Sequence, residues 1–223
     1  MPPYQPYNSQ GTLPGIPVVP QGPHMTAATG PIPAGYDPSK PIIERGAGRV
    51  DINKRKIING EDADVVQLWP IKHKFAWDAY NVGNANHWLP TEISMQLDIE
   101  QWRSQSVLTE DERHAFKMVL GFFTTADSIA ANNLVLAFYR HVTSPETRLY
   151  LLRQAYEEAV HTQAYQYIVE SLGLDGTEIF NMYREIDAIY NKEEFILSFN
   201  QGIFDPTFKT GTFEADQKFL ENM

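Results

Sequence analysis

Two side chains on one predicted helix have the types and the spacing of metal ligands. Glu158-Ala-Val-His161 places a carboxylate and an imidazole three residues apart, which puts both on the same face of a helix. Helical bundles that hold carboxylate-bridged di-iron or di-manganese centres use such an E-x-x-H pair to bring ligands from one helix. The sequence has no cysteine, so any metal is expected to have oxygen and nitrogen ligands, which suits iron or manganese.

The flanking residues decide between a buried ligand pair and a surface pair, because E-x-x-H is common by itself. Tyr165 shares the helix face of Glu158 and His161, whereas Tyr156 and Tyr167 point elsewhere. Apolar or aromatic side chains continue the shared face and predict that the pair is buried: Leu151, Ala155, Tyr165 and Ile168. An exposed i,i+3 pair without a metal remains the alternative.

Asp127 is the third candidate ligand, because it lies within an apolar stripe of the preceding predicted helix. The side chains expected to form this buried stripe are Phe116, Val119, Leu120, Phe123, Ala130 and Leu134. A carboxylate among them costs several kcal/mol unless it is paired or bound to a metal. A cap or a salt bridge for Asp127 therefore stays open beside the metal site.

Two long helices are expected to position these residues. Thr109 and Glu112 form a capping box that begins the first helix, which runs to about His141. Ser144-Pro145 begins the second, and Gly173 ends it after Leu172. Other segments are predicted as a strand or extended arm at 51–59, helices at about 70–84, 177–190 and 192–202, a turn at 88–92, and a helix beginning near Thr212. The pattern predicts an all-α helical bundle.

Composition narrows the class of protein further. The 223 residues carry a formal net charge of −10, which argues against nucleic acid as a partner. We expect no membrane span and no signal peptide, and hence a cytoplasmic protein. Eleven of the 15 prolines precede residue 42, so residues 1–45 are predicted to be a disordered tail before a single domain at 46–223.

Three segments together resemble the radical-generating (beta) subunit of class I ribonucleotide reductase. The first is Phe122-Phe-Thr-Thr-Ala-Asp127, and the second is Glu158-Ala-Val-His161-Thr-Gln-Ala-Tyr165. The third is Trp88-Leu-Pro-Thr-Glu92, which matches a W-x-P-x-E segment of that family. The similarity runs from about residue 50 to the last residue.

The resemblance implies a ferritin-like helical bundle and a role for each matching residue. Asp127, Glu158 and His161 would be three of six ligands to a dinuclear iron, manganese/iron or dimanganese centre. Tyr165 would carry a radical, and Trp88 would pass the oxidising equivalent to a catalytic alpha subunit that reduces ribonucleotides to deoxyribonucleotides. The radical would be shielded from water by Phe122, Phe123 and Ile168.

The resemblance covers only the first half of the family's ligand set. The family has a second set, a Glu and a further E-x-x-H on two more long helices, and this sequence has no second E-x-x-H. We therefore expect an incomplete bundle, either a split subunit or a truncated one. It would need a complementary C-terminal fragment to fold properly, and the assembled units would form a dimer. Another ferritin-like carboxylate oxidase and a non-catalytic remnant remain the alternatives.

Overall fold

The computed structural model describes residues 51–60 and 66–223, and most of these residues are helical. The expected tail at 1–45 lies outside the described residues. The helices are α1 (Lys74–Ala85), α2 (Gln96–Arg103), α3 (Glu110–Asn132), α4 (Pro145–Leu172), α5 (Gly176–Glu185), α6 (Asp187–Asn200) and α7 (Phe213–Glu221). One isolated antiparallel bridge, Ile58 with Val142, is the β-pairing found in these ranges. The all-α prediction is confirmed, and the segment at 51–59 is a short 3₁₀ turn followed by an extended arm.

Both long helices begin where their N-caps predict, and α4 also ends where its C-terminal glycine predicts. The Thr109 side chain accepts from the backbone of Glu112, and the Glu112 carboxylate accepts from the backbone of Thr109, so the capping box of α3 is formed. At α4 the Ser144 hydroxyl accepts from the Thr147 backbone, and Gly173 adopts φ 68° at the C-terminal end. That left-handed conformation favours glycine, which explains why α4 ends there.

Buried apolar side chains form two clusters, on either side of the middle of α4. One cluster joins the end of α3 and the following turns to α4 and α7 through Leu134, Ala137, Phe138, Val142, Leu151, Ile203 and Phe219. The other joins α3, α4, α5 and α6 through Leu120, Val169, Ile179, Met182 and Ile189. Together they fix the relative position of α3 and α4, which pack side by side.

The structure corrects several element boundaries. Helix α2 was not predicted at all, since its eight residues are mostly polar and exposed. Helices α5 and α6 meet at Ile186, which is the C-cap of one and the N-cap of the other, five residues before the expected junction at residue 191. The expected long helix to His141 is present, but from Asn133 to Phe138 it widens into π-helical turns before a 3₁₀ turn.

The expected buried stripe on α3 is only half buried within the described residues. Leu120 and Leu134 are in the core and Ala130 is half-buried, whereas the side chains of Phe116, Val119 and Phe123 are exposed. The reason is that α4 and α5 cover one side of α3, and no described residue fully covers the adjoining face.

The helical segment Glu110–His141 is long and apolar enough to cross a membrane by length and composition. A single helix of this kind is weak evidence for a span, because core helices of globular proteins pass the same test.

Candidate metal centre

Asp127 on α3 and Glu158 and His161 on α4 converge on one point, as the sequence predicted. One ligand atom from each of the three lies within 4.8 Å of the others. His161 Nδ1 is 3.2 Å from a Glu158 carboxylate oxygen and 3.5 Å from Oδ2 of Asp127. The E-x-x-H spacing accounts for the pair on α4, and the packing of α3 beside α4 brings in Asp127. No second group of this kind occurs among residues 51–60 and 66–223.

The three ligand candidates are half-buried, which corrects the expectation of a buried pair. The exposed fraction of the side chain is 16% for both Glu158 and Asp127 and 38% for His161. The carboxylates therefore point into the space between the helices, and the imidazole borders solvent on the side that no described residue covers.

The polar atoms of this group fit a metal ion. Oδ2 of Asp127 is buried and has no hydrogen-bond partner in the described structure, an arrangement that is costly for a carboxylate unless a cation binds it. Two carboxylates and one imidazole form an oxygen-rich donor set without sulfur, which suits iron or manganese. The alternative of a capped or salt-bridged Asp127 is supported by the His161 ring at 3.5 Å and by a hydrogen bond with Tyr165, and neither gives Oδ2 a hydrogen-bond partner.

Tyr165 lies one turn after His161 on the same face of α4, as predicted. Its ring stacks on Phe123 of α3, with the ring centroids 6.0 Å apart and the planes within 11°. Phe122 and Ile168 pack with it against the core cluster of α3, α4, α5 and α6. Burial raises the pKa of the Tyr165 phenol above its ordinary value, and the neighbouring Asp127 carboxylate raises the pKa further through its charge and a hydrogen bond.

Trp88, the other predicted functional aromatic, lies against the ligand group from the outside. It precedes the 3₁₀ turn Pro90–Glu92. Its ring centroid is 6.2 Å from that of His161, and its indole Nε1 donates a hydrogen bond of 2.8 Å to Glu157. The structure thus brings together all five predicted residues: Trp88 contacts the His161 ring, and Tyr165 lies beside Asp127.

Sequence reasoning missed Glu157, which accepts the hydrogen bond from Trp88, and Arg153, which pairs with Glu157. Partial burial acts to raise the pKa of Glu157, but hydrogen bonds from Arg153 and Trp88 outweigh it and lower the pKa, so the carboxylate is ionised at neutral pH. The signal was present in the sequence, because Arg153 and Glu157 stand at i and i+4 on α4, immediately before Glu158.

Comparisons with known proteins identify the family. Residues 65–223 match the family described as ribonucleotide reductase, small chain. The chain is 47% identical over 182 residues to the ribonucleoside-diphosphate reductase subunit beta of Chlamydia pneumoniae, a match that covers 82% of this chain and 52% of that protein. The subunit beta of Aquifex aeolicus is 32% identical over 169 residues, which cover 74% of this chain and 24% of that protein.

Solved structures agree in fold. The ribonucleotide reductase R2 subunit from Clostridium botulinum superposes with a TM-score of 0.65 at 26% identity, covering 82% of this chain and 54% of that one. A putative class I ribonucleotide reductase from Bacillus halodurans gives a TM-score of 0.56 at 27% identity, covering 67% and 50%. The chain thus spans about half the length, or less, of the relatives it matches. The expected ferritin-like fold is confirmed, and the chain belongs to the ribonucleotide reductase small-chain family.

Proposed function

We propose that this chain supplies half of the dinuclear metal site of a radical-generating ribonucleotide reductase subunit. The observation that carries the proposal is the convergence of Asp127, Glu158 and His161 within 4.8 Å. In this group the buried Oδ2 of Asp127 has no hydrogen-bond partner among the described residues. In this proposal the three residues bind iron, manganese or one of each, and further ligands come from a complementary segment of the same subunit.

The residues around the site have separate roles in this proposal. Once bound and oxidised by oxygen, the two ions would supply the oxidising power for one-electron chemistry on the aromatic side chains of the chain. Tyr165 gives up an electron and its phenolic proton to become a neutral radical, and the Asp127 carboxylate beside it is the acceptor for that proton. Phe123 stacks on the Tyr165 ring and covers one face of it.

In this proposal Trp88 connects the metal site to the catalytic alpha subunit. It lies outside the ligand group and 6.2 Å from the His161 ring, so an oxidising equivalent can leave the site through it toward a catalytic alpha subunit. That partner would use it to reduce ribonucleotides to deoxyribonucleotides. The assembled small subunits would form a dimer and work in the cytoplasm.

A Tyr165→Phe variant tests the proposed radical site. The chain, assembled with a complementary segment, is loaded with Fe(II), exposed to oxygen and examined by electron paramagnetic resonance. The variant should bind the same amount of metal but lose the tyrosyl signal, because only one hydroxyl is removed. Tyr167→Phe on the same helix is the matched control, since that hydroxyl donates to the Ile93 carbonyl and not to the site. A tyrosyl signal unchanged in Tyr165→Phe would contradict the assignment.

A further inference from the structure

Helix α6 packs on α3 and α5 with two polar side chains on its buried side. Its buried residues are Ile189, Glu193 and Asn200, which leave the helix within about 40° of one another. Phe195 and Phe199 leave it about 160° and 120° away from Glu193. These two rings are 65% and 49% exposed, with their centroids 4.9 Å apart. The hydrophobic pattern of α6 therefore does not explain which side of it faces the core.

The carboxyl group of Glu193 has no partner in the described part of the chain. Only 3% of the residue is exposed, and both side-chain oxygens are buried without a hydrogen bond. Nδ2 of Asn200, two turns later on the same side of α6, is also buried without a hydrogen-bond partner. Such surroundings strongly disfavour an ionised carboxylate, whereas the neutral acid loses much less on burial.

The charged side chains of α3, α5 and α6 do not compensate for the burial of Glu193. Each lysine and arginine of these helices contacts another group: Arg113 and Glu110, Lys117 and Glu178, Arg184 and the Tyr183 hydroxyl, Lys192 and the Phe122 ring. His114 and the acidic side chains of these helices are exposed, apart from Glu193 and Asp127 of the ligand group. Burial accordingly raises the pKa of Glu193 above its usual value of 4.5, and no charge contributes to the shift.

We propose that α6 is a proton-dependent latch: it stays packed on α3 and α5 while Glu193 holds a proton, and it is released from them when that proton passes to solvent. Release returns the carboxylate to water, where its charge is hydrated. Ile189 of α6 belongs to the apolar cluster against which Phe122 and Tyr165 pack, so release also loosens the surroundings of Tyr165. The latch requires no bound metal and goes beyond the function proposed above.

The direction of the pH dependence follows from the raised pKa of Glu193. A carboxyl group whose pKa is raised in the packed state stabilises that state fully below the usual value of 4.5, and this stabilisation is lost as the pH rises through the raised pKa. Between these two values, each pH unit favours release by about tenfold. Glu193→Gln has a similar shape without the charge, so α6 should stay packed in this variant at every pH.

Hydrogen exchange of the α6 amides, measured by mass spectrometry on the full chain, tests the latch. The unaltered chain and Glu193→Gln are compared at the same pH, so the intrinsic pH dependence of exchange cancels. At pH 8 the α6 amides of the unaltered chain should exchange faster than those of Glu193→Gln by about tenfold or more, whereas at pH 4 the two rates should agree within about twofold. Glu194→Gln, at the exposed neighbouring position, is the matched control and should behave like the unaltered chain.

Equal exchange rates in the unaltered chain and Glu193→Gln at pH 8 would overturn the proposal. A difference as large at pH 4 as at pH 8 would also overturn it, because an effect of side-chain shape alone does not depend on pH. If Glu193→Gln fails to fold, the unaltered chain labelled with ¹³C at its glutamate carboxyl carbons decides the matter. Glu193 should titrate above 4.5, while Glu146, whose pKa is lowered by hydrogen bonds, should titrate below it and show that the chain is folded. Titration of Glu193 at or below 4.5 in that folded sample would overturn the proposal.

Discussion

The buried carboxylates in the first turn of α4 and in its middle turns have opposite kinds of surroundings. In the first turn, Glu146 is fully buried and its oxygens accept from the Lys72 and His73 backbones and from the Ser144 hydroxyl. The guanidinium of Arg55, also buried, lies 4.0 Å away. In the middle turns, the carboxylates converge instead on one another and on a single imidazole, and one oxygen of Asp127 has no hydrogen-bond partner.

The difference indicates what each region is for. The Glu146 network joins the segment before α1 to α4, and both carboxylate oxygens of Glu146 accept hydrogen bonds, so removal of its charge should cost stability. The ligand group gains little from its own contacts within the described residues. Such an arrangement persists at the expense of stability when it serves binding, and a metal ion is what the donor atoms fit.

The largest expected change in the free energy of unfolding is at Glu146. Glu146→Gln should lower the free energy of unfolding by about 3 kcal/mol, because it removes a buried negative charge that accepts several hydrogen bonds and lies 4.0 Å from the buried Arg55 guanidinium. Urea unfolding followed by circular dichroism measures this change. Glu170→Gln, on the exposed face of the same helix, is the control and should change stability by less than about 0.5 kcal/mol. A loss of the same small size in Glu146→Gln would remove the contrast between the two regions.

The same residue predicts a pH dependence. Burial acts to raise the pKa of Glu146, but hydrogen bonds from the Lys72, Ser144 and His73 groups outweigh it and lower the pKa below the usual value of 4.5. A lowered folded-state pKa means that the stabilisation is present above the usual value and is lost as the pH falls through the folded pKa. The stability difference between the unaltered chain and Glu146→Gln should therefore shrink on acidification below about pH 4.5. A difference that grows instead would contradict the sign of the shift.

A smaller effect, of opposite sign, is expected at the ligand group. In the metal-free chain, Asp127→Asn removes a charge whose buried oxygen lacks a hydrogen bond, and should leave stability unchanged or raise it by about 1 kcal/mol. The same substitution should weaken metal binding, because an amide is a poorer ligand for iron or manganese. A clear loss of stability in the metal-free variant would instead support a structural role for Asp127.

The smallest effect is expected from the proline-rich stretch outside the described residues. Its lack of apolar periodicity predicts that removal of residues 1–33 changes the free energy of unfolding by less than about 0.5 kcal/mol. The same urea titration checks this. A larger loss would mean that this stretch packs on the domain or on a partner.

The sequence predicted the parts of the molecule whose causes are local. Caps and a C-terminal glycine gave both ends of α4, and the E-x-x-H spacing gave the ligand face on it. The sequence alone did not predict which helix faces are covered by neighbouring helices. Phe116 and Phe123 have the spacing of buried residues yet are exposed, because burial is decided by neighbouring helices and not by periodicity.

The contacts of Glu157 depend on tertiary structure in the same way. An Arg153–Glu157 pair is ordinary on a helix surface, and only the position of the turn at Trp88, 69 residues earlier in the chain, makes Glu157 an acceptor for an indole. The π-helical turns from Asn133 have no comparable signal in the sequence.

Metal stoichiometry tests the central claim, that Asp127, Glu158 and His161 form half of a dinuclear site. The chain is loaded with Fe(II) or Mn(II), desalted and analysed by mass spectrometry, alone and after assembly with the part of the Chlamydia pneumoniae subunit that it does not match. We predict little retained metal for the chain alone and close to two ions per assembled unit, with His161→Ala well below that value. Two tightly bound ions in the chain alone, or unchanged metal content in assembled His161→Ala, would contradict the half-site account.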